Sequence, residues 1–321
     1  MKSPTTLYFA GSLFIATIIL SGCCDKLEHK IDTPVFSPDG QYIIFSLIEN
    51  GSEHICRIKN NGMDFKRLTM SKYRADFDAI YSPDGLRIAF SSIKKYSRRK
   101  DADLYIMNSD GTGVKRLTDD SYSDVSPVFS PDGERIYFLR AKDFAVRHSP
   151  TLPNLRWYDI YSINTDGTGL KAITNTDFDR LRMDSLSVSP DGGFLLVRDD
   201  TDESENTFWL IPIYNPEEWK PLRPNNQKGD FYDPRFSPDG RSILFTWWSR
   251  PGIYIMDLQT NEYKQLAMSC RVVESPSFSY DGTKIVFVNV LKEKWEKEKY
   301  ELWQVNTDGS DLRRIEVMPD K

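Results

Sequence analysis

The stretch Pro34-Val-Phe-Ser-Pro-Asp-Gly40-Gln-Tyr-Ile-Ile-Phe45 decides the fold, because it recurs. Its centre, Ser-Pro-Asp-Gly, starts at Ser37 and again at Ser82, Ser130, Ser189 and Ser237. A sixth copy reads Ser279-Tyr280-Asp281-Gly282, with Tyr in place of Pro. Successive copies lie 45, 48, 59, 48 and 42 residues apart. Pro presets φ for the first turn position, Asp bonds locally to backbone, and Gly takes the left-handed position. Each copy therefore predicts a tight connection between two antiparallel strands.

The flanks repeat with the turn. Phe36, Tyr81, Phe129, Val188, Phe236 and Phe278 precede the six serines. Six residues after each Ser stand Ile43, Ile88, Ile136, Leu195, Ile243 and Ile285. Eight after stand Phe45, Phe90, Phe138, Val197, Phe245 and Phe287. Positions six and eight share one face of a strand. Unit four has Val at both aromatic positions, so its core is expected to be thinner.

A third strand follows as Ile55–Ile58, Leu104–Met107, Ile160–Ile163, Phe208–Ile211, Ile253–Met256 and Leu302–Val305. A second turn is clear at Asn60-Asn-Gly62, Ser109-Asp-Gly111, Thr165-Asp-Gly167 and Thr307-Asp-Gly309, and has decayed in units four and five. A fourth strand ends at Leu68, Leu117, Ile173, Leu222, Leu266 or Ile315. One such four-stranded sheet cannot bury both faces alone. Radial stacking of such sheets solves this and protects their edges. The chain is thus expected to be all-β, a six-bladed β-propeller of four-stranded antiparallel blades. Every unit runs from its first strand to its fourth, so no blade shared between the two chain ends is evident.

These motifs resemble the propeller repeats of the TolB family: Pro-x-Phe-Ser-Pro-Asp-Gly, an Ile-x-Phe strand, Tyr-x-Met-Asn-x-Asp-Gly, then Arg-Leu-Thr. The resemblance covers residues 31–317 and is specific for the propeller superfamily rather than for TolB itself. It implies a periplasmic protein of the Tol–Pal type. TolB also carries a separate N-terminal α/β domain, which the expected layout omits. Similar repeats occur in dipeptidyl-peptidase-type enzymes, fused to a hydrolase domain. No such domain is expected here, and no Gly-x-Ser-x-Gly elbow occurs in the sequence.

The N-terminus reads as an address. Met1-Lys2-Ser3 precedes an apolar run from Leu7 to Leu20. As a helix that run is roughly 21 Å long, against a hydrocarbon core of about 30 Å, which fits a signal-peptide core rather than a span. Leu20-Ser21-Gly22-Cys23 then resembles the bacterial lipoprotein cleavage motif. This implies removal of residues 1–22, acylation of Cys23, a lipid-anchored tether over 23–30 and a propeller over 31–321. The expected location is the bacterial cell envelope, at a periplasmic or outer membrane face.

Composition agrees. The chain has 321 residues, 39% hydrophobic and 28% charged, with 18 Gly and 18 Pro. That excludes disordered, collagen-like and polytopic membrane classes. A net charge of −5 argues against nucleic acid as partner. Four Cys and three His cannot build a disulfide scaffold or a His-rich metal site like that of oligogalacturonate-lyase-like propellers. Cys56 takes the third-strand position held elsewhere by Tyr105, Tyr161, Trp209, Tyr254 and Trp303, so it reads as core.

In a propeller the first strand lines the channel and the fourth is outermost. One face carries the stereotyped Asp-Gly turns, the other every variable loop. Function more often lives in loops on a rigid scaffold, so the variable face is the expected working face. There each first strand carries an acid four to six residues before the turn Ser: Asp32, Asp78, Asp124, Asp184, Asp233 and Glu274. If the blades are equivalent, these ring the channel mouth and attract a cation or a basic group. The plainer reading has each acid bonding backbone in its own or a neighbouring blade. Lys94, Lys95, Arg98, Arg99 and Lys100 form a basic cluster suited to anionic lipid or polymer, or simply a solvated loop. Residues 140–157 bring Phe144, Arg147, His148, Arg156 and Trp157, and Lys292–Lys299 alternates sign as in a short helical extension.

No catalytic constellation stands out and no cofactor is called; a metal site is left open. The expected function is a non-enzymatic module binding an envelope protein or peptide. The alternative is a carbohydrate-active (lyase-like) or hydrolytic enzyme using the acidic mouth.

Overall fold

The computed structural model describes residues 29–95, 101–141, 158–175, 183–199, 207–227, 229–266, 270, 272–291 and 298–317. Within them 24 strands form six four-stranded antiparallel sheets, each built from four strands consecutive in sequence. Blade one comprises β1 (Lys30–Phe36), β2 (Tyr42–Glu49), β3 (Ser52–Lys59) and β4 (Lys66–Arg67). The first strands of the other blades are β5 (Arg74–Tyr81), β9 (Ser123–Phe129), β13 (Met183–Val188), β17 (Phe231–Phe236) and β21 (Val273–Phe278). Each touches the first strand of the next blade, and β21 touches β1, so six first strands enclose the axis. The outermost strands are only two or three residues long, slightly shorter than the sequence suggests.

The repeated turn works as its chemistry predicts. The Ser37 hydroxyl donates to Asp39 Oδ1 at 2.5 Å and accepts the Tyr42 N–H at 2.9 Å. The same Asp oxygen accepts the Gln41 N–H at 3.0 Å. Equivalent bonds occur at Ser82, Ser189, Ser237 and Ser279. The turn glycines sit at φ +66 to +72, where an L side chain is strained.

Six hydrophobic clusters form six seams between blades. Positions six and eight after the Ser, such as Ile88 and Phe90, pack onto Ile44 and Ile55 of the preceding blade. The thinner Val197 of blade four is backed by Tyr137, Leu139 and Tyr158 of blade three. Third-strand aromatics lie on the position-eight ring, as with Phe245 and Tyr254 at 5.3 Å. Where blade one has the small Cys56, wholly buried, Phe65 approaches Phe45 at 6.4 Å. Burial pushes the Cys56 thiol up to about 12. Cys56 and Cys270 are both free thiols.

The Thr of the Arg-Leu-Thr motif also has a job. Thr69, Thr118 and Thr174 accept the third-strand N–H groups of Ile55, Leu104 and Ile160 at 2.9–3.0 Å. Those amides lie beyond the end of the short fourth strand, and buried donors need a partner.

The ring closes by packing. Phe36, Ile43 and Phe45 of blade one share a cluster with Val286, Val288 and Leu302 of blade six. Among the described residues no strand of one end enters the other end's sheet. On the outer rim Gly62 of blade one approaches the Glu316 carbonyl of blade six, as Gly111 approaches Leu68 one seam on.

Candidate channel site

Every first strand is broken by a bulge at one place. Two of its residues face the single position-eight residue of the second strand, so the register jumps, as between Asp32 and Val35 in blade one and between Glu274 and Ser277 in blade six. The first bulged residue lies four before the turn Ser and takes positive φ in all six blades. These are Thr33 (46), Asp78 (53), Ser126 (54), Ser185 (55), Asp233 (53) and Ser275 (51). Left-handed backbone costs a non-glycine residue about 1–2 kcal/mol, least for short polar side chains that bond locally. That explains why all six are Thr, Ser or Asp. The bulge turns these side chains into the channel.

The six acids therefore do not form one ring. Asp78 and Asp233 occupy the bulge position. Asp32, Asp184 and Glu274 stand one residue earlier, and Asp124 two earlier. Asp124 meets Arg140 in a buried bidentate pair, with both bonds at 2.7 Å, and Arg140 also reaches Asp120 at 2.9 Å. Arg198 pairs with Asp184 the same way, its Nε donating to Oδ1 at 2.7 Å. The others bind across seams. Asp78 accepts from the Ser126 N–H at 3.3 Å and its hydroxyl at 3.5 Å. Asp233 accepts the Ser275 N–H at 3.0 Å and the Ser185 hydroxyl at 3.4 Å. Ser275 Oγ donates to Asp32 Oδ1 at 2.9 Å, across the closing seam. The result is a polar belt tying blades together.

The belt's electrostatics are uneven. Around blades six, one and two, Asp32, Asp78, Glu274 and the buried Glu53 face one another with Lys30 as the nearby base. Burial, reinforced by Asp32, lifts Asp78 and Glu274 each to about 7. Burial and the same neighbours raise Glu53 well above the carboxylate range. Burial alone would lower the Lys30 pKa, but Asp32 and Glu274 raise it. Among the described residues no three His, Cys, Asp or Glu side chains are placed to hold a metal ion, so the expected channel cation gains no ligand set.

Between the belt and the turns the channel widens into a cavity of about 370 Å³, lined by all six blades from Thr33, Asp78, Ser126 and Ser185 up to Pro83, Pro131, Pro190 and Pro238. It thus occupies the turn-face half of the channel, not the variable-face mouth that the sequence favoured. Arg235 projects into this wall, two residues before its turn Ser, where the other blades have Val35, Ile80, Val128, Ser187 and Ser277. Its Nη1 donates to the Leu186 carbonyl at 2.7 Å. At the mouth, the Tyr280 hydroxyl reaches past blade one and donates to the Tyr81 carbonyl of blade two at 3.4 Å. Sequence reading noted the Pro-to-Tyr change but not this crossing, and it missed Arg235. Both were visible as departures from a repeat position.

Of the basic cluster, Lys94 is exposed, and Lys95 Nζ turns back to Ser52 Oγ at 2.7 Å. Arg98, Arg99 and Lys100 lie outside the described residues, as do Cys23, residues 142–157 and 292–297. Of the histidines, His29 lies 3.3 Å from Glu49 and His54 is half-buried in β3.

Comparison with known proteins follows the repeats. A family model of the dipeptidyl peptidase IV N-terminal region matches residues 25–151. The Tol-Pal system protein TolB of Anaeromyxobacter sp. (strain K) is 35% identical over 95 residues, 30% of this chain and 20% of that protein. The match thus spans a fifth of the curated relative's length. Among solved structures, TolB from Acinetobacter baumannii superposes with TM-score 0.53 at 16% identity, covering 89% of this chain and 67% of that one. An oligogalacturonate lyase in complex with manganese gives 0.57 at 14%, covering 89% and 77%. Kuenenia stuttgartiensis hydrazine synthase gives 0.63 at 15%, covering 84% and 42%. The structural likenesses speak for the fold; the sequence match makes the propeller TolB-like.

Proposed function

We propose that this TolB-like propeller is a non-enzymatic module that binds an envelope protein or peptide, held at a membrane by an acylated Cys23. The observation that carries the reading is the occupation of the first-strand carboxylates. Five of the six accept hydrogen bonds from Ser or Arg side chains or amides that tie strands and blades together. Groups so engaged serve the scaffold, whereas general acid–base work needs a carboxyl free to reach a substrate. The sequence match to a protein named for the Tol-Pal system points the same way.

The membrane end follows from geometry. β1 starts at Lys30, at the channel end away from the turns, and a tether over 23–30 reaches at most roughly 30 Å. The variable face then lies toward the membrane, with Lys94 on the same side and Arg98, Arg99 and Lys100 following in the chain. Exposed Met70, Tyr73, Tyr122 and Trp248 on that face offer apolar contacts.

Two measurements test the reading. Cys23→Ala is expected to abolish fatty-acid labelling and move the protein from the membrane to the soluble fraction. Cross-linking in envelope extracts is expected to give a partner that Tyr73→Ser/Trp248→Ser loses and Met63→Ser/Leu86→Ser keeps. Turnover of oligogalacturonides or peptides by the purified protein overturns it.

A further inference from the structure

We propose that the turn-face half of the channel is a second binding site, one that takes a carboxylate carried on an extended chain and anchors it on Arg235. This site rests on the proposed function only in that the protein binds rather than catalyses. It concerns the opposite face.

Four observations meet here. The cavity volume of about 370 Å³ lies at the low end of small-ligand sites, which run from about 300 to 1,000 Å³, so it admits a slender chain end rather than a folded partner. Its wall is mainly aliphatic, aromatic and prolyl, with hydroxyls from Thr33, Ser126, Ser185 and Ser277. Arg235 is the one basic side chain among the lining residues, at a position that other blades fill with Val, Ile or Ser. Its bond to the Leu186 carbonyl holds one nitrogen. A guanidinium has five N–H donors, and a fork of them matches a carboxylate.

The charges facing Arg235 are Asp78, Asp233 and Asp184. Asp184 is already paired with Arg198, and Asp233 is turned to Ser275 and Ser185. Asp78 shares the cavity wall but accepts from Ser126, and burial lifts it to about 7. Among the described residues no carboxylate therefore makes a close ion pair with Arg235, as Asp124 does with Arg140 and Asp184 with Arg198. Access is one-sided. Tyr280 bridges the mouth from blade six to blade two, leaving Pro131, Pro190 and Pro238 to frame the opening beside Arg235. Pro238 stands in the turn three residues beyond Arg235, at most about 10 Å along the chain, so a chain of about three extended residues reaches the guanidinium.

The test uses an N-terminally labelled alanine pentapeptide in three forms: free acid, C-terminal amide, and amide with a central glutamate. Fluorescence anisotropy with the full chain is expected to show binding of the free acid that weakens at least tenfold on amidation. Arg235→Gln is expected to remove that difference and Arg235→Lys to keep part of it. Binding of the glutamate amide, lost in Arg235→Gln, assigns the carboxylate to a side chain rather than a terminus. If Arg235→Gln does not fold, Tyr280→Ala serves instead, with a faster association rate for the free acid expected. Equal binding of acid and neutral amide, or none at millimolar peptide, overturns the proposal. That result with the variable-face partner still captured sinks this site alone; loss of both sinks the binding-module reading too.

Discussion

The two halves of the ring treat their first-strand carboxylates in opposite ways. In blades three and four, Asp124 and Asp184 each meet an arginine from the adjacent second strand. In blades six, one and two, Asp32, Asp78, Glu274 and Glu53 crowd together with Lys30. The turn face repeats the asymmetry. Around most of it a proline lies against the next blade's turn glycine, as Pro38 does at 3.4 Å from where a Gly85 Cβ would stand. At the closing seam Tyr280 replaces the proline and reaches across the channel, and Gly40 has nothing within 4 Å. One half is locked by paired charges; the other carries the seam, the bridging tyrosine and the surplus acid.

The comparison breaks first where pairs are cut. Arg140→Ala leaves the buried Asp124 without its counter-charge, with only Thr118 still bonded to it, and about 3–5 kcal/mol of stability should be lost in denaturant unfolding. Replacing both partners, as in Asp124→Leu/Arg140→Met, should recover most of that. No recovery would mean that Arg140 acts mainly through its stacking on Tyr122, Phe138 and Tyr161.

The acid-rich half should show itself through pH. Asp78 and Glu274 titrate near 7 when folded and near 4 when unfolded, so the native state binds more protons between those values. Stability should then be highest near pH 4 on this account and fall as pH rises through about 7. The double change Asp78→Asn/Glu274→Gln should flatten that fall, read as thermal midpoints over the same window. An unchanged slope would place the titrating groups elsewhere.

The turn seams give the smallest effect. Gly85→Ala and Gly40→Ala both place a side chain at positive φ, at about 1–2 kcal/mol each. Gly40→Ala should cost less by some tenths, since no proline stands beside it. Equal costs would show that the proline contact contributes nothing.

Much of this was legible in the chain. Ser-Pro-Asp-Gly and the two aromatic or aliphatic positions after it specify turn, strand and seam together, because each is a local rule that the packing also obeys. The acids were legible as residues but not as partners. Their offset of four, five or six residues looked like noise, and it is the bulge that makes it matter: a one-residue difference exchanges the channel for a blade interior. The steadier signal lay at the fourth position before the Ser, small and polar in all six units. Arg235 and Tyr280 repeat nothing, so their meaning waited on the axis they share.

The closure by side chains alone has a mechanical consequence. Every seam is packed by side chains, but the chain crosses five of them from one blade to the next and leaves the sixth uncrossed, so the ring behaves like a split washer. It can part at the seam of blades six and one while every sheet stays intact. A pull on the chain where it enters β1 would load that seam before any other.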